Sequence, residues 1–152
     1  MNTATIRIRP LLATGAVAAA ASVAVNASIF GLGRAAGVDF VVDSTTTVAV
    51  ADVVSFTLMC FAAGLLAAAI ARALRRPSYR VLQVVAAVIA VASVAMDLPI
   101  DGSPAAKVLL ASMHLVTGAA YVIGLQIAHG RSTAAVEHHP AAADRQRQPV
   151  AA

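Results

Sequence analysis

The sequence has no tryptophan, a single cysteine and, with four phenylalanines and two tyrosines, little aromatic material of any kind. The missing aromatics remove the belt that usually marks a membrane–water boundary, so interfacial anchoring falls to arginines. One cysteine, Cys60, allows neither an intrachain disulfide nor a cysteine metal motif, and inside an apolar run it reads as a small packing residue. Charge is scarce as well: 12% of residues are charged against 60% hydrophobic, and mean hydropathy is +0.83. A soluble domain of 152 residues could not hide that much apolar surface. The net charge of +4 and the pI near 10.2 would suit a nucleic-acid binder, but the basic residues sit between long apolar runs and not on one polar face. They read as topology signals, and no nucleic-acid partner is expected.

What is present is four apolar runs. A hydrocarbon core of about 30 Å needs roughly 20 helical residues to cross it. Four windows qualify: about 11–32, stopped by Gly33 and Arg34; about 53–71, between Asp52 and the Arg72, Arg75, Arg76, Pro77 cluster; about 81–98, ended by Asp97, Pro99 and Asp101; and about 107–128, between Pro104, Lys107 and His129-Gly130-Arg131. The expected fold is therefore all-α, a polytopic bundle of four transmembrane helices. Residues 1–10 form a cytoplasmic N-terminus. Residues 131–152, rich in Ala, Gln, Arg and His and broken by Pro140 and Pro149, form a disordered cytoplasmic tail. His138 and His139 in that tail read as solvated side chains.

Nine of the eleven basic residues lie in three segments: Arg7 and Arg9; Arg72, Arg75, Arg76 and Arg80; and Arg131, Arg145 and Arg147. By the positive-inside rule these face the cytoplasm. The other two connections hold Arg34 and Lys107 against Asp39, Asp43, Asp52, Asp97 and Asp101, and face outside. The expected location is the cell membrane, with both termini inside. A rival reading makes the first run a signal peptide cleaved near Val25-Asn26-Ala27, but its length exceeds the roughly 7–15 residues of a signal h-region.

Laid over each other at an offset of 71, Val17–Asn26 and Val88–Asp97 agree at six of ten positions; an offset of 54 matches Met59 to Met113, Gly64 to Gly118 and Cys60 to His114. This suggests two tandem helical hairpins related by an axis along the membrane normal.

Helices in lipid associate through small residues and side-chain hydrogen bonds. Spacings of three and four align Gly15, Ala19, Ser22 and Asn26 on the first span, and Thr57, Cys60, Gly64, Ala67 and Ala71 on the second. On the third they align Gln83, Ala86, Ala90, Ser93 and Asp97, and on the fourth His114, Thr117, Gly118 and Tyr121. These faces are expected to meet in the interior, with Asn26, His114, Ser93, Asp97, Thr117 and Tyr121 forming an outer-leaflet polar cluster open to the outside. Each also has a plain structural reading: Asn26 bonding a neighbouring helix, His114 bonding Asn26, Ser93 or Thr117, Asp97 as a solvated helix end, and Tyr121 bonding a backbone carbonyl or the Gln126 region.

No phosphate-cradling loop, CxxC, HExxH or nucleophile elbow is present, so catalysis is not expected and neither a cofactor nor a metal is implied. Haem ligation by two histidines of one chain fails on spacing, because His129 lies roughly 22 Å along the helix from His114. Only a dimer pairing two copies of His114 would restore it.

Asn26 followed by Gly33-Arg34-Ala35-Ala36-Gly37-Val38, the Arg75-Arg76-Pro77 turn, Ser93 with Asp97-Leu98-Pro99, and Met113-His114-Leu115-Val116 together resemble a family of uncharacterised four-helix integral membrane proteins common in actinobacteria, a domain-of-unknown-function family. The resemblance covers about residues 5–130. It implies the four-helix architecture and draws attention to Asn26 and His114, but brings no activity. The reading that follows is a structural or accessory membrane protein, lying among lipids and packing with itself or a membrane protein partner. The alternative is a module that binds or transports a small ligand or a proton through the outer-leaflet cluster.

Overall fold

The computed structural model describes residues 8–74 and 79–137 and consists of four helices: α1 (Ile8–Ala35), α2 (Val50–Ala73), α3 (Tyr79–Met96) and α4 (Pro104–Glu137). Each is long and apolar enough to cross a membrane. Only 6–22% of each apolar window is buried within the molecule, and Leu, Val, Ile and Met side chains are exposed around the bundle. Water would not tolerate such a surface, whereas lipid is its natural solvent. The chain is a multi-pass membrane protein.

The helices run alternately up and down. One core cluster joins Leu11, Ala68, Tyr79, Leu125 and Ala128, at the start of α1 and α3 and toward the far ends of α2 and α4. The other, at the opposite end, joins Phe30, Phe40, Val53, Ala106 and Met113. Helix α4 packs along both α1 and α3, and α1 along α2, while α2 and α3 scarcely touch. An exact twofold between the α1–α2 and α3–α4 hairpins would seat α3 on α2 as closely as α1 sits on α4. The duplication suggested by the sequence is therefore broken at one seam.

The helix ends correct several boundaries. Gly33 does not stop α1, because it is the flat spot on which Phe40 and Leu109 rest; a Cβ there would come within 2.7 Å of both. The stop is Gly37, at φ +79°. The Val38 amide donates to the Gly33 carbonyl and the Gly37 amide to that of Arg34, which closes a Schellman cap. Gly37→Ala is expected to cost about 1 kcal/mol, from placing a Cβ at positive φ, with the loss read from thermal unfolding in detergent. Helix α2 begins before Asp52, whose carboxylate accepts from the Ala49 amide. Helix α4 begins at Pro104, with the Ser103 hydroxyl accepting from the Ala106 amide.

At its other end α4 runs past His129-Gly130-Arg131 to Glu137, so residues 131–137 are helical and not part of a disordered tail. Contacts with the start of α3 accompany this extension. The rings of Tyr79 and His129 lie 4.9 Å apart, and the hydroxyls of Tyr79 and the buried Ser132 lie 3.3 Å apart. The Arg75-Arg76-Pro77 segment and the residues beyond Glu137, with His138, His139, Arg145 and Arg147, lie outside the described residues.

The α1–α2 connection folds back on the bundle. Phe40 is fully buried against Phe30, with ring centroids 4.6 Å apart, and a single bridge pairs Val41 with Thr47. Asp43 accepts from the Thr45 amide and hydroxyl and from the Thr46 amide, and these bonds, the Thr45 amide foremost, hold its carboxyl below the usual carboxylate range. The Asp101 amide donates to the Val42 carbonyl, tying this connection to the one between α3 and α4. Lys107 Nζ donates to the Leu98 carbonyl at the end of α3.

Candidate functional site

Of the six residues expected to form one polar cluster, Asn26 and Thr117 belong to one arrangement and His114 and Asp97 to another, while Ser93 and Tyr121 join neither. The first is a buried knot of three helices. Asn26, 1% exposed on α1, donates through Nδ2 to Thr57 Oγ1 of α2 at 3.0 Å and to Thr117 Oγ1 of α4 at 2.9 Å. Thr57 and Thr117 in turn donate to the carbonyls of Val53 and Met113, one turn back in their own helices. Their hydroxyls can therefore only accept from Asn26, which fixes the orientation of the amide. Ser22, one turn before Asn26, makes a longer contact of 3.4 Å to Thr117 Oγ1. Asn26 Oδ1 is buried and accepts nothing from the protein.

The second arrangement pairs α3 with α4. His114 Nδ1 lies 3.0 Å from Asp97 Oδ2 and 3.1 Å from the Leu110 carbonyl oxygen. Both neighbours are acceptors, so Nδ1 carries the proton and Nε2 is left as the basic nitrogen of the neutral ring. This corrects two expectations. His114 bonds Asp97 and not Asn26, Ser93 or Thr117, and Asp97 is no solvated helix end but is 7% exposed. The turn that closes α3, with the Asp97 amide donating to the Val94 carbonyl, folds the carboxylate back toward α4.

Beside these groups lies a cavity of about 260 Å³ along the seam where α2 and α3 fail to meet. Cys60, Ala63 and Ala67 line it from α2, Val85, Ala86 and Ala90 from α3, and Gly118 and Tyr121 from α4. Its polar groups are Ser93, His114, Thr117 and Tyr121. The three hydroxyls are already committed as donors: Ser93 to the Ile89 carbonyl, Thr117 to that of Met113 and Tyr121 to the Gly64 carbonyl of α2 at 2.6 Å. The cavity runs along the spans themselves, and Cys60, Ala63, Ala67, Val85 and Ile89 in its lining are exposed on the flank of the bundle. Asn26 is not in its wall but one hydroxyl behind it, through Thr117.

The α2 face read from the sequence also changes. Thr57 is buried as expected, but Cys60 and Ala67 are exposed in the cleft, and Val53, Phe61 and Ala68 do the packing instead. On α1 and α3 the expected faces hold: Gly15, Ala19, Ser22 and Asn26 are buried, Asp97 is buried and Gln83, Ala86, Ala90 and Ser93 are half-buried. Thr57 belongs to the knot although it was not singled out as a site residue. Its signal was present, a hydroxyl on the small-residue stripe of α2, but only the position of Asn26 gives that hydroxyl a partner.

Comparison with known proteins gives one result. The model of a family of unknown function, DUF6069, matches residues 6–131. No curated protein and no solved structure matches.

Proposed function

The chain belongs to this family of unknown function, DUF6069, whose description carries no activity, and on that premise we propose that it is a non-catalytic accessory protein that works by packing against a second copy of itself or another membrane protein. The observation that carries this reading is the outward face of α1. Ala16, Ala20, Ala24, Ser28, Gly31 and Ala35 follow one another at spacings of three and four, and all are exposed. The outward faces of α3 and α4 carry large residues such as Val84, Val88, Val91, Leu115 and Ile123. In lipid, where apolar burial gives helices no net attraction, a row of small side chains lets two backbones approach closely.

The membrane in question is the cell membrane, with both termini in the cytoplasm. Support comes from the placement of Arg9, Arg72, Arg80 and Arg131 at one end of the bundle and of Asp39, Asp43, Asp52, Asp97 and Asp101 toward the other.

With Cys60 changed to serine, a cysteine placed at Ala24 is expected to crosslink two copies in native membranes, and one placed at Val88 is not. Adding Gly31→Leu should abolish the crosslink and leave the unfolding temperature unchanged, since nothing in the fold lies within 4 Å of a Cβ at that position. Recovery of isolated monomers from the Ala24 variant would sink the reading.

A further inference from the structure

The seam between α2 and α3 shares no residue with the outward face of α1, and what it offers is chemically different. Its walls are apolar and it opens where lipid lies. Its volume limits the occupant: an apolar cavity of about 150 Å³ admits benzene, so about 260 Å³ accommodates a substituted single ring. It does not accommodate a transmembrane helix, whose diameter with side chains is about 10–12 Å.

A plain acyl chain would satisfy the walls but not His114. Asp97 is buried at the edge of the membrane, and its oxygen together with the Leu110 carbonyl holds the imidazole through Nδ1. A carboxylate in that role fixes the ring's tautomer and orientation and leaves the opposite nitrogen to accept. In this protein the opposite nitrogen, Nε2, has no partner in either hydrogen bond of the ring, and His114 is one of the residues lining the cleft. The hydroxyls of Ser93, Thr117 and Tyr121 have given their protons to backbone carbonyls, so apart from the weak S–H of Cys60 the polar groups lining the cleft accept. The matching ligand is one that donates.

We infer that the cleft between α2 and α3 is a binding site for the ring of a lipid-soluble phenol or quinol, which enters sideways from the bilayer and donates a hydroxyl to His114 Nε2. Asp97 is a positioning residue for that bond. The ring lies beside Ser93, Ala90 and Gly118, and an alkyl tail runs on along Ala63, Ala67 and Ala86 and leaves through the seam into lipid.

The test uses the full chain in lipid nanodiscs with two probes of similar shape, para-hexylphenol and its methyl ether para-hexylanisole. Binding is measured by equilibrium dialysis against protein-free nanodiscs, which subtracts partition into lipid. The phenol is expected to bind saturably and about tenfold more tightly than the ether, the worth of one good hydrogen bond. His114→Gln should reduce that preference, and Ala67→Phe, which fills the cleft from an exposed position, should abolish saturable binding of both probes with unfolding unchanged. Nitrogen NMR adds a direct signature: the His114 Nε2 resonance should move on adding the phenol and stay still with the ether. Equal affinity of the wild-type chain for the two probes would reduce the cleft to a site for apolar chains and overturn the proposal. Absence of saturable phenol binding, or binding unaffected by Ala67→Phe, would overturn it as well. None of these results bears on the α1 face, so the two readings fail separately.

Discussion

Gly118→Val is expected to destabilise the bundle by about 2–3 kcal/mol, read as a shift in reversible unfolding by SDS titration. Gly118 sits where α4 passes close to Ala90 of α3. A Cβ at this position would overlap the Cβ of Ala90, whose own backbone lies directly behind it at 3.6 Å. A flexible side-chain tip could swing away, but a helix backbone has to move as a body. Helix α3 is held by α4, since α2 scarcely touches it, and polar ties join α3 and α4 at Tyr79 at one end and at Asp97 and Leu98 at the other. The same substitution at Gly31, which faces open space, should cost nothing measurable. Because the overlap acts on the α3–α4 seam, Gly118→Val should also weaken the Asp97–His114 pair, visible as a change in the His114 ring nitrogen resonances. A valine tolerated at both glycines alike would mean that α3 does not pack on α4 as described.

Asn26→Ala is expected to cost about 2 kcal/mol in the same titration. Interhelical hydrogen bonds in membranes average about 0.6 kcal/mol and reach about 1.7, and this change removes two of them while opening a small void. Asn26→Leu is the informative companion. It restores volume and removes the unpaired Oδ1, while Thr57 and Thr117 keep the bonds they donate to Val53 and Met113. Its cost should be less than half that of Asn26→Ala. If leucine costs as much as alanine, Oδ1 has a partner in the membrane, such as a buried water, and the knot is more than a clasp between helices.

The contrast between Asn26 and His114 marks where sequence reasoning reached and where it stopped. Both residues stand out as polar groups within apolar runs, and both lie toward the end of the bundle that carries the α1–α2 connection. Their depth along each helix follows from residue counting, because the rise per residue is fixed. Their partners do not, because a partner depends on how each helix is rotated and where it is shifted against its neighbours. A rotation of one helix by one residue, about 100°, would exchange Thr117 for another neighbour of Asn26. Asp97 was misread for a related reason: the run of Pro99 and Asp101 correctly signals that α3 ends, but not that the closing turn carries the carboxylate inward to His114.

The helix ends repeat the lesson at smaller scale. Gly33 and Gly130 are both reasonable stop signals, and neither stops its helix. Gly33 is buried beneath Phe40 and Leu109, while Gly130 is followed by about two further turns whose Ser132 meets Tyr79. Local propensity for a helix stop is weak, of the order of 1 kcal/mol for a glycine, and packing of one aromatic ring outweighs it. Gly37 does stop α1, because there the backbone itself turns to positive φ.

By itself, the sequence determined that this protein lives in lipid, that four helices cross it, and which faces of α1 and α3 turn inward. Those properties rest on apolar content, on the length a span requires and on helical periodicity, all of which are local. Only the tertiary structure decided that α2 and α3 stand apart, that Asn26 ties three helices together and that His114 turns to Asp97 beside an open seam. Each of those depends on how whole helices settle against one another in three dimensions, through contacts between residues far apart in the chain.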